Sequence, residues 1–468
     1  MSILAHEAPP VVTAPRRLFV AALAVGLTLG MSRPAHAGDP PNVAVRPEFA
    51  RSGSFVVYPP RPTMPRARKA CSFLHPMCVH VAKGGPGEPE REALALLDAL
   101  DRAWSLAVDA LDLPPPDPSP ETGALDVYLV PGDPFATRVG LAERALTGGF
   151  DRASAFGLVG RGVTPGCALD AAAARVVTRA VLFRVAPATD EGSALAETTY
   201  LSSVLVPCAP VPALGLSLFQ GHPEIGLADT LGPPTETVDP PPLRLTATAG
   251  EIYASGASSF YAWTDASFAV SPGSLVRAVW ALSPTITPPG AARWNNEPDG
   301  FEVLRMSFKE ALGTKTTVDD LWLDFAVGRA FDTRFPVRFE WSVDWPTHPR
   351  SLSASVLGVA PTGAAYIAVD CKGRPAGTRL RFEATWEEHA RMLWTLVRVD
   401  ASGREVSRVG VPSRERGTDA QLTLIDLDQA ARVFIVGINA GDPLFPFDPD
   451  DYQQEPHGWV VSLAAEAP

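Results

Sequence analysis

Lysine is scarce in this 468-residue sequence: only Lys69, Lys83, Lys309, Lys315 and Lys372 stand among its 40 basic residues. With abundant alanine and proline, that scarcity reflects codon usage and carries no mechanism. Acids outnumber bases 52 to 40, for a formal net charge of −12. Phosphate binding needs a basic face, so nucleic acid is excluded as a partner. The chain also lacks a G-x-S-x-G elbow, a G-x-x-x-x-G-K-[ST] loop and a G-x-G-x-x-G turn after a strand. Those absences remove the α/β-hydrolase, P-loop and dinucleotide-binding readings. No repeat of fixed period occurs, and no histidine lies between His80 and His222.

The pattern at the start is a targeting segment. Arg16 and Arg17 form a basic n-region, residues 18–31 an apolar run, and Ala35-His36-Ala37 a small-x-small cleavage site before Gly38. Arg-Arg-Leu-Phe loosely resembles a twin-arginine signal, although such pairs are common in ordinary Sec signals, which we favour. The run is too short to span a bilayer, and no cysteine follows it to carry a lipid. The expectation is an exported protein, periplasmic or extracellular, with no membrane span after cleavage. Removing the leader takes the net charge from −12 to −14, since it holds three arginines and one glutamate.

Five cysteines in an exported chain point to disulfides. Cys71 and Cys78 are close in CSFLHPMCVH, where Cys71, His75, Cys78 and His80 could instead gather a metal; an oxidising compartment favours the local bridge. His80, between Val79 and Val81, reads as a strand residue. Between Cys167 and Cys208 lie two predicted helices. Asp170 can cap the first, whose stripe is Val176, Val177, Ala180, Val181 and Phe183, and Pro187 closes it. Ser193 or Asp190 can cap the second, which runs to Pro207. An antiparallel hairpin of the two brings Cys167 and Cys208 within bridging range, leaving Cys371 odd.

That hairpin resembles the active-site helix pair of secreted bacterial zincin-type metallopeptidases of the gluzincin kind. There one helix carries H-E-x-x-H and the next supplies a glutamate as third zinc ligand. Glu197 in AETTYLSS matches the downstream glutamate. Where the first motif belongs, the chain reads Arg179, Ala180, Val181, Leu182, Phe183, so both imidazoles and the general base are missing. A guanidinium has no lone pair for a metal and Phe183 offers it nothing, so zinc is expected to be lost. One expectation is that Arg179 replaces the metal's charge and pairs with Glu197 while Phe183 fills the vacated volume. The alternative leaves Arg179 in solvent on an ordinary helix and Glu197 as a surface carboxylate.

Residues 38–66 are proline-rich and extended, with a short strand possible at 54–58. Residues 88–113 form the clearest helix, 124–130 a buried strand and 156–159 a second short one. Strand, helix, strand, helix hairpin is the order that the resemblance implies for a zincin amino-terminal half. Residues 211–246 read as a proline-broken loop whose His222 is a turn residue. Four helical segments follow, starting near Tyr253, with Trp263, Trp280 and Trp322 as core; the resemblance implies a carboxy-terminal helical lobe here.

From residue 337 the chain turns to nine short alternating or β-branched runs, the signature of a β-sandwich, with Trp386, Trp394 and Trp459 taken as core in preference to a sugar platform. Asp442, Asp448, Asp450 and Asp451 could hold calcium, but D-P-D-D is no EF-hand and an acidic surface loop is the plainer reading. The organisation expected is α+β: a signal peptide (1–37), a proline-rich segment (38–66), a zincin-like region (67–335) and a β-sandwich (336–468). Two functional readings follow. In the first, the protein is a non-catalytic metallopeptidase-like chain that binds a protein or an envelope or extracellular polymer. In the second, it is an active metal-dependent hydrolase drawing ligands from His75, His80 or His222 around Glu197.

Overall fold

Apolar residues come in two patterns along this chain, and they build two kinds of strand. The computed structural model describes residues 61–64, 67–82, 88–132, 137–147, 150–187, 189–209, 211, 213–228, 249–283, 300–311, 317–354, 358–414, 417–428, 430–444, 447 and 455–466. The expected signal peptide (1–37) and nearly all of the proline-rich segment, with the strand expected at 54–58, lie outside them, and the described residues all belong to one unit, Val45–Pro468.

The first sheet has the order β1-β2-β3-β5-β4: β1 (Arg68–Cys71), β2 (Met77–Val81), β3 (Leu125–Val130), β4 (Thr137–Thr147) and β5 (Phe150–Gly160). Strands β2, β3 and β5 are parallel, with β1 and β4 as antiparallel edges. LDVYLV is buried along its whole length, as a central parallel strand requires. The crossover from β2 to β3 is α1 (Glu88–Trp104), prolonged by a π-helical stretch, Ser105–Ala110. The short strand expected at 156–159 is the end of β5, and its hairpin partner β4 had no clear alternation to reveal it. Gly140 in β4 lies under the Phe156 ring, where an added Cβ would come within 2.4 Å of it. A residue that reads as a breaker is here a site of close approach.

After β5 the chain forms α2 (Cys167–Val185) and α3 (Glu191–Leu205), then α4 (Ala213–Gly221) inside the segment expected to be loop. Helices α5 (Ala249–Phe268), α6 (Ser274–Leu282), α7 (Gly300–Ala311) and α8 (Val318–Arg329) correspond to the four predicted segments. Trp280 and Trp322 are buried among them, while Trp263 is partly buried.

All nine predicted runs in the last third contain strands: β6 (Trp341–Val343), β7 (Arg350–Ser353), β8 (Ala364–Asp370), β9 (Arg379–Trp386), β10 (Met392–Val399), β11 (Glu405–Gly410), β12 (Asp419–Leu424), β13 (Arg432–Asn439) and β14 (Trp459–Glu466). They make a five-stranded sheet, β11-β10-β13-β8-β6, and a four-stranded one, β12-β9-β14-β7. Strands β8, β10 and β13 are buried on both faces. In β13, Phe434, Val436 and Ile438 join the core shared with the helices, while Val433 and Ile435 face the core shared with the four-stranded sheet. Their near-continuous apolar runs follow from that double burial. In β9, RLRFEATW alternates exposed and buried because only one face is covered. Trp386, Trp394 and Trp459 are core residues. Strands replace helices after residue 336, but the helical core continues into the five-stranded sheet.

Two disulfides are present, Cys71–Cys78 and Cys167–Cys208, and Cys371 is buried with a free thiol. Among the described residues no helix is long and apolar enough to cross a membrane.

Candidate functional site

The predicted hairpin forms. Helices α2 and α3 pack together, and Cys167 at the start of one is bonded to Cys208 just beyond the end of the other, Cα atoms 5.9 Å apart. Asp190 is the N-cap of α3, its carboxylate accepting from the Ser193 amide at 2.8 Å. Asp170 does not cap α2. The helix starts one turn earlier, with Gly166 as N-cap, so Asp170 lies inside the first turn and accepts instead from Arg102.

Glu197 is at the centre of this region, 1% exposed. Its Oε2 accepts the indole N–H of Trp280, from α6, at 2.7 Å. Arg179 is also enclosed, but the expected pair with Glu197 is not made. Its Nη2 donates to Glu191 Oε2 at 2.6 Å, and its guanidinium lies 4.8 Å from the centre of the Phe183 ring. The physical reason is hydration: Glu191, in the first turn of α3, keeps 27% of its side chain in solvent, so ion pairing there strips less water than pairing with fully enclosed Glu197. Arg179 still acts on Glu197 through space, holding its acidity up against the effect of burial. Ala180, at the general-base position of the motif, is simply core.

Burial pushes the Glu197 carboxyl up to about 7, opposed by the Trp280 hydrogen bond and reinforced by Asp190 nearby. Asp190 is itself pushed up to about 6, again by burial. Tyr261, from α5, faces Ser193 and Glu197, and burial together with the Glu197 and Asp190 carboxylates drives its phenol well above its ordinary value. The phenol completes a well-formed hydrogen bond to neither. Glu197 Oε1, Tyr261 OH, Ser193 Oγ, Arg179 Nη1 and Arg175 Nε are all buried without a hydrogen-bond partner. Sequence reasoning missed Trp280 and Tyr261 as neighbours of Glu197, since nothing local links residues so far apart. It also passed over Arg175, which its i, i+4 spacing to Arg179 could have flagged.

The other candidate ligands lie in separate places. The Cys71 and Cys78 thiols are bonded to each other, which replaces the metal reading of that segment. His75 stacks on Trp104, with ring centres 5.2 Å apart; His80 bonds Asp126 at 2.7 Å and stacks on Tyr128; His222 sits 3.3 Å from Glu224. Among the described residues no three His, Cys, Asp or Glu side chains gather in a way that could hold a metal ion. Asp442 faces His389, while Asp448, Asp450 and Asp451 lie outside the described residues.

No family model and no curated protein matches the chain. Solved structures align only locally. The enzymatically active domain of bacteriophage CBA120 tailspike protein 4 is 16% identical with a TM-score of 0.16, over 25% of this chain and 15% of that one. The VP2 subviral particle of infectious bursal disease virus is 12% identical with a TM-score of 0.17, over 26% and 30%. CorA, a surface-associated copper-binding protein of Methylomicrobium album BG8, is 8% identical with a TM-score of 0.16, over 27% and 98%. At such scores the likenesses carry nothing for the site.

Proposed function

We propose that the chain is an exported, non-catalytic relative of the zincin-type metallopeptidases, acting by binding at the cell envelope. The observation that carries this reading is the occupancy of the helix pair. Glu197, in the position of a zinc-binding glutamate, accepts from Trp280, while Arg179 and Phe183, in the positions of the two imidazoles, lie against one another. In this reading, protein groups take the place that a metal would fill. The order of β3, β5, α2 and α3 after α1 supports the same ancestry. The paired C-terminal sheets, which share one apolar core, act in this reading as a β-sandwich that holds an envelope or extracellular polymer or a protein partner.

The competing reading, an active metal-dependent hydrolase, would have to draw His75, His80 or His222 away from Trp104, Asp126 and Glu224. Elemental analysis of the purified mature chain, run beside a casein-hydrolysis assay with and without chelator, separates the two. The expected result is zinc well below one per chain and no chelator-sensitive cleavage. One zinc per chain with cleavage abolished by chelator overturns the proposal.

A further inference from the structure

Helix α2 carries a second arginine one turn before Arg179. Residues four apart share a helix face, so Arg175 and Arg179 project along the same stripe. Their situations differ. Arg179 has Glu191 on one nitrogen and Phe183 beneath it, although Nη1 is buried without a partner. Arg175 has its Nε buried and unpartnered, and among the described residues no carboxylate, carbonyl or hydroxyl meets its guanidinium. Burial pulls it below its ordinary value, with no carboxylate to raise it again.

This fold satisfies a buried arginine fully elsewhere. Arg329 donates to Gln220 Oε1 and to the Phe219 carbonyl, both at 2.8 Å, and lies 4.0 Å from the centre of the Phe219 ring. Arg175 lacks every one of these compensations. A guanidinium cannot shed its proton at any pH the protein meets, so a largely enclosed, unpaired one is a standing cost that an anion cancels. Part of Arg175 remains open to solvent, so an anion can reach it from outside.

From this geometry we infer that Arg175 is the binding site for the carboxylate of a ligand. Charge selects the class. Glu191 already compensates Arg179, which leaves Arg175 as one positive charge without an ion-pair partner among the described residues. A monoanionic carboxylate fits that balance and matches the guanidinium fork in shape. Its source is either a small organic acid or the C-terminus of a peptide. The inference does not depend on descent from a metallopeptidase.

Calorimetric titration of the mature protein at constant ionic strength tests it, using acetate, an N-acetylated trialanine with a free C-terminus, and the same peptide amidated. Saturable one-to-one binding of acetate and free peptide assigns any small carboxylate; binding of the free peptide alone assigns a peptide C-terminus. In either case the amidated peptide should not bind, and Arg175→Ala should weaken binding at least tenfold. Arg175→Lys, which keeps the charge but loses the fork, should fall between, and Arg381→Ala, on the exposed face of β9, should match wild type. If the alanine variant fails to fold, Arg175→Gln serves in its place. Absence of saturable binding by both carboxylates, or equal binding by wild type and the Arg175 variant, overturns the site. Neither outcome bears on the zinc analysis, so the two proposals fail separately.

Discussion

The amino-terminal sheet and the helices bury Asp126, Arg179, Asp190, Glu197, Asp265 and Arg329, whereas among the described residues of the nine C-terminal strands and their turns the buried polar ones are Thr362, Thr378, Thr395 and Asn439, none of them charged. Apolar burial closes the C-terminal sheets, where the Trp394 and Trp459 indole N–H groups are buried without a hydrogen-bond partner but buried polar residues can be fully bonded. Asn439, for example, donates to the Val359 carbonyl and accepts from the Gly441 amide, each at 2.9 Å. The helical region carries ions, and it treats them unequally. Burial alone would raise Asp126, but hydrogen bonds from His80 and Thr122 and the charge of Arg61 hold it below the ordinary carboxylate value. Glu197 has one firm donor and is raised instead. A buried carboxylate with a full set of donors stabilises the fold as an anion; one with half a set is tolerated chiefly in its protonated form. The difference sets the helix pair, with its raised carboxyls, apart from the fully donated Asp126 and from the sheets, among whose described residues no charged residue is buried.

Changes on each side can sharpen or break this contrast. The largest effect belongs to the sheets: Trp394→Ala should cost roughly 3–5 kcal/mol in chemical denaturation, because the ring is 1% exposed and covers Gly437 between Phe382 and Trp459. Next, replacing Cys167 and Cys208 together by serine should cost about 3–4 kcal/mol, since the bridge joins residues separated by 41 positions. Denaturation of the oxidised double-serine variant beside oxidised wild type, both keeping Cys71–Cys78, checks it. Third, Glu197→Gln should stabilise the protein at pH 8. A carboxyl whose folded value exceeds its unfolded value holds its proton longer when folded, so wild type loses stability as pH rises from about 4.5 to about 7. The glutamine variant should lose the upper part of that slope, with a gain of up to about 3 kcal/mol; Asp190, raised to about 6, leaves the lower part in place. A variant no more stable than wild type at pH 8 would erase the contrast. The smallest effect is Arg381→Ala, which removes an exposed pair with Glu383 and should change the melting free energy by at most about 0.5 kcal/mol.

What could be read from the sequence followed the reach of each signal. Strands were legible because pleat and burial write directly into alternation: RLRFEATW showed one covered face and RVFIVGIN two. The hairpin and its bridge were legible because caps, prolines and two cysteines are local marks. Strand β4 was not, since TRVGLAERALT mixes charge with small residues and its fit depends on the Phe156 ring lying over Gly140. Helix α4 was hidden by the prolines around it. In the site itself, the residues of the altered motif were readable but their partners were not. Trp280 is 83 positions from Glu197, and the choice of Glu191 by Arg179 turns on which carboxylate keeps its water.

The central claim is that the helix pair encloses a carboxyl stabilised in its protonated form by the fold around it. Infrared difference titration, comparing wild type with Glu197→Gln, reads that proton directly. A protonated-carboxyl band that titrates near pH 7 and is missing from the variant is the expected result. A band that disappears in the ordinary carboxylate range, near pH 4.5, would contradict it.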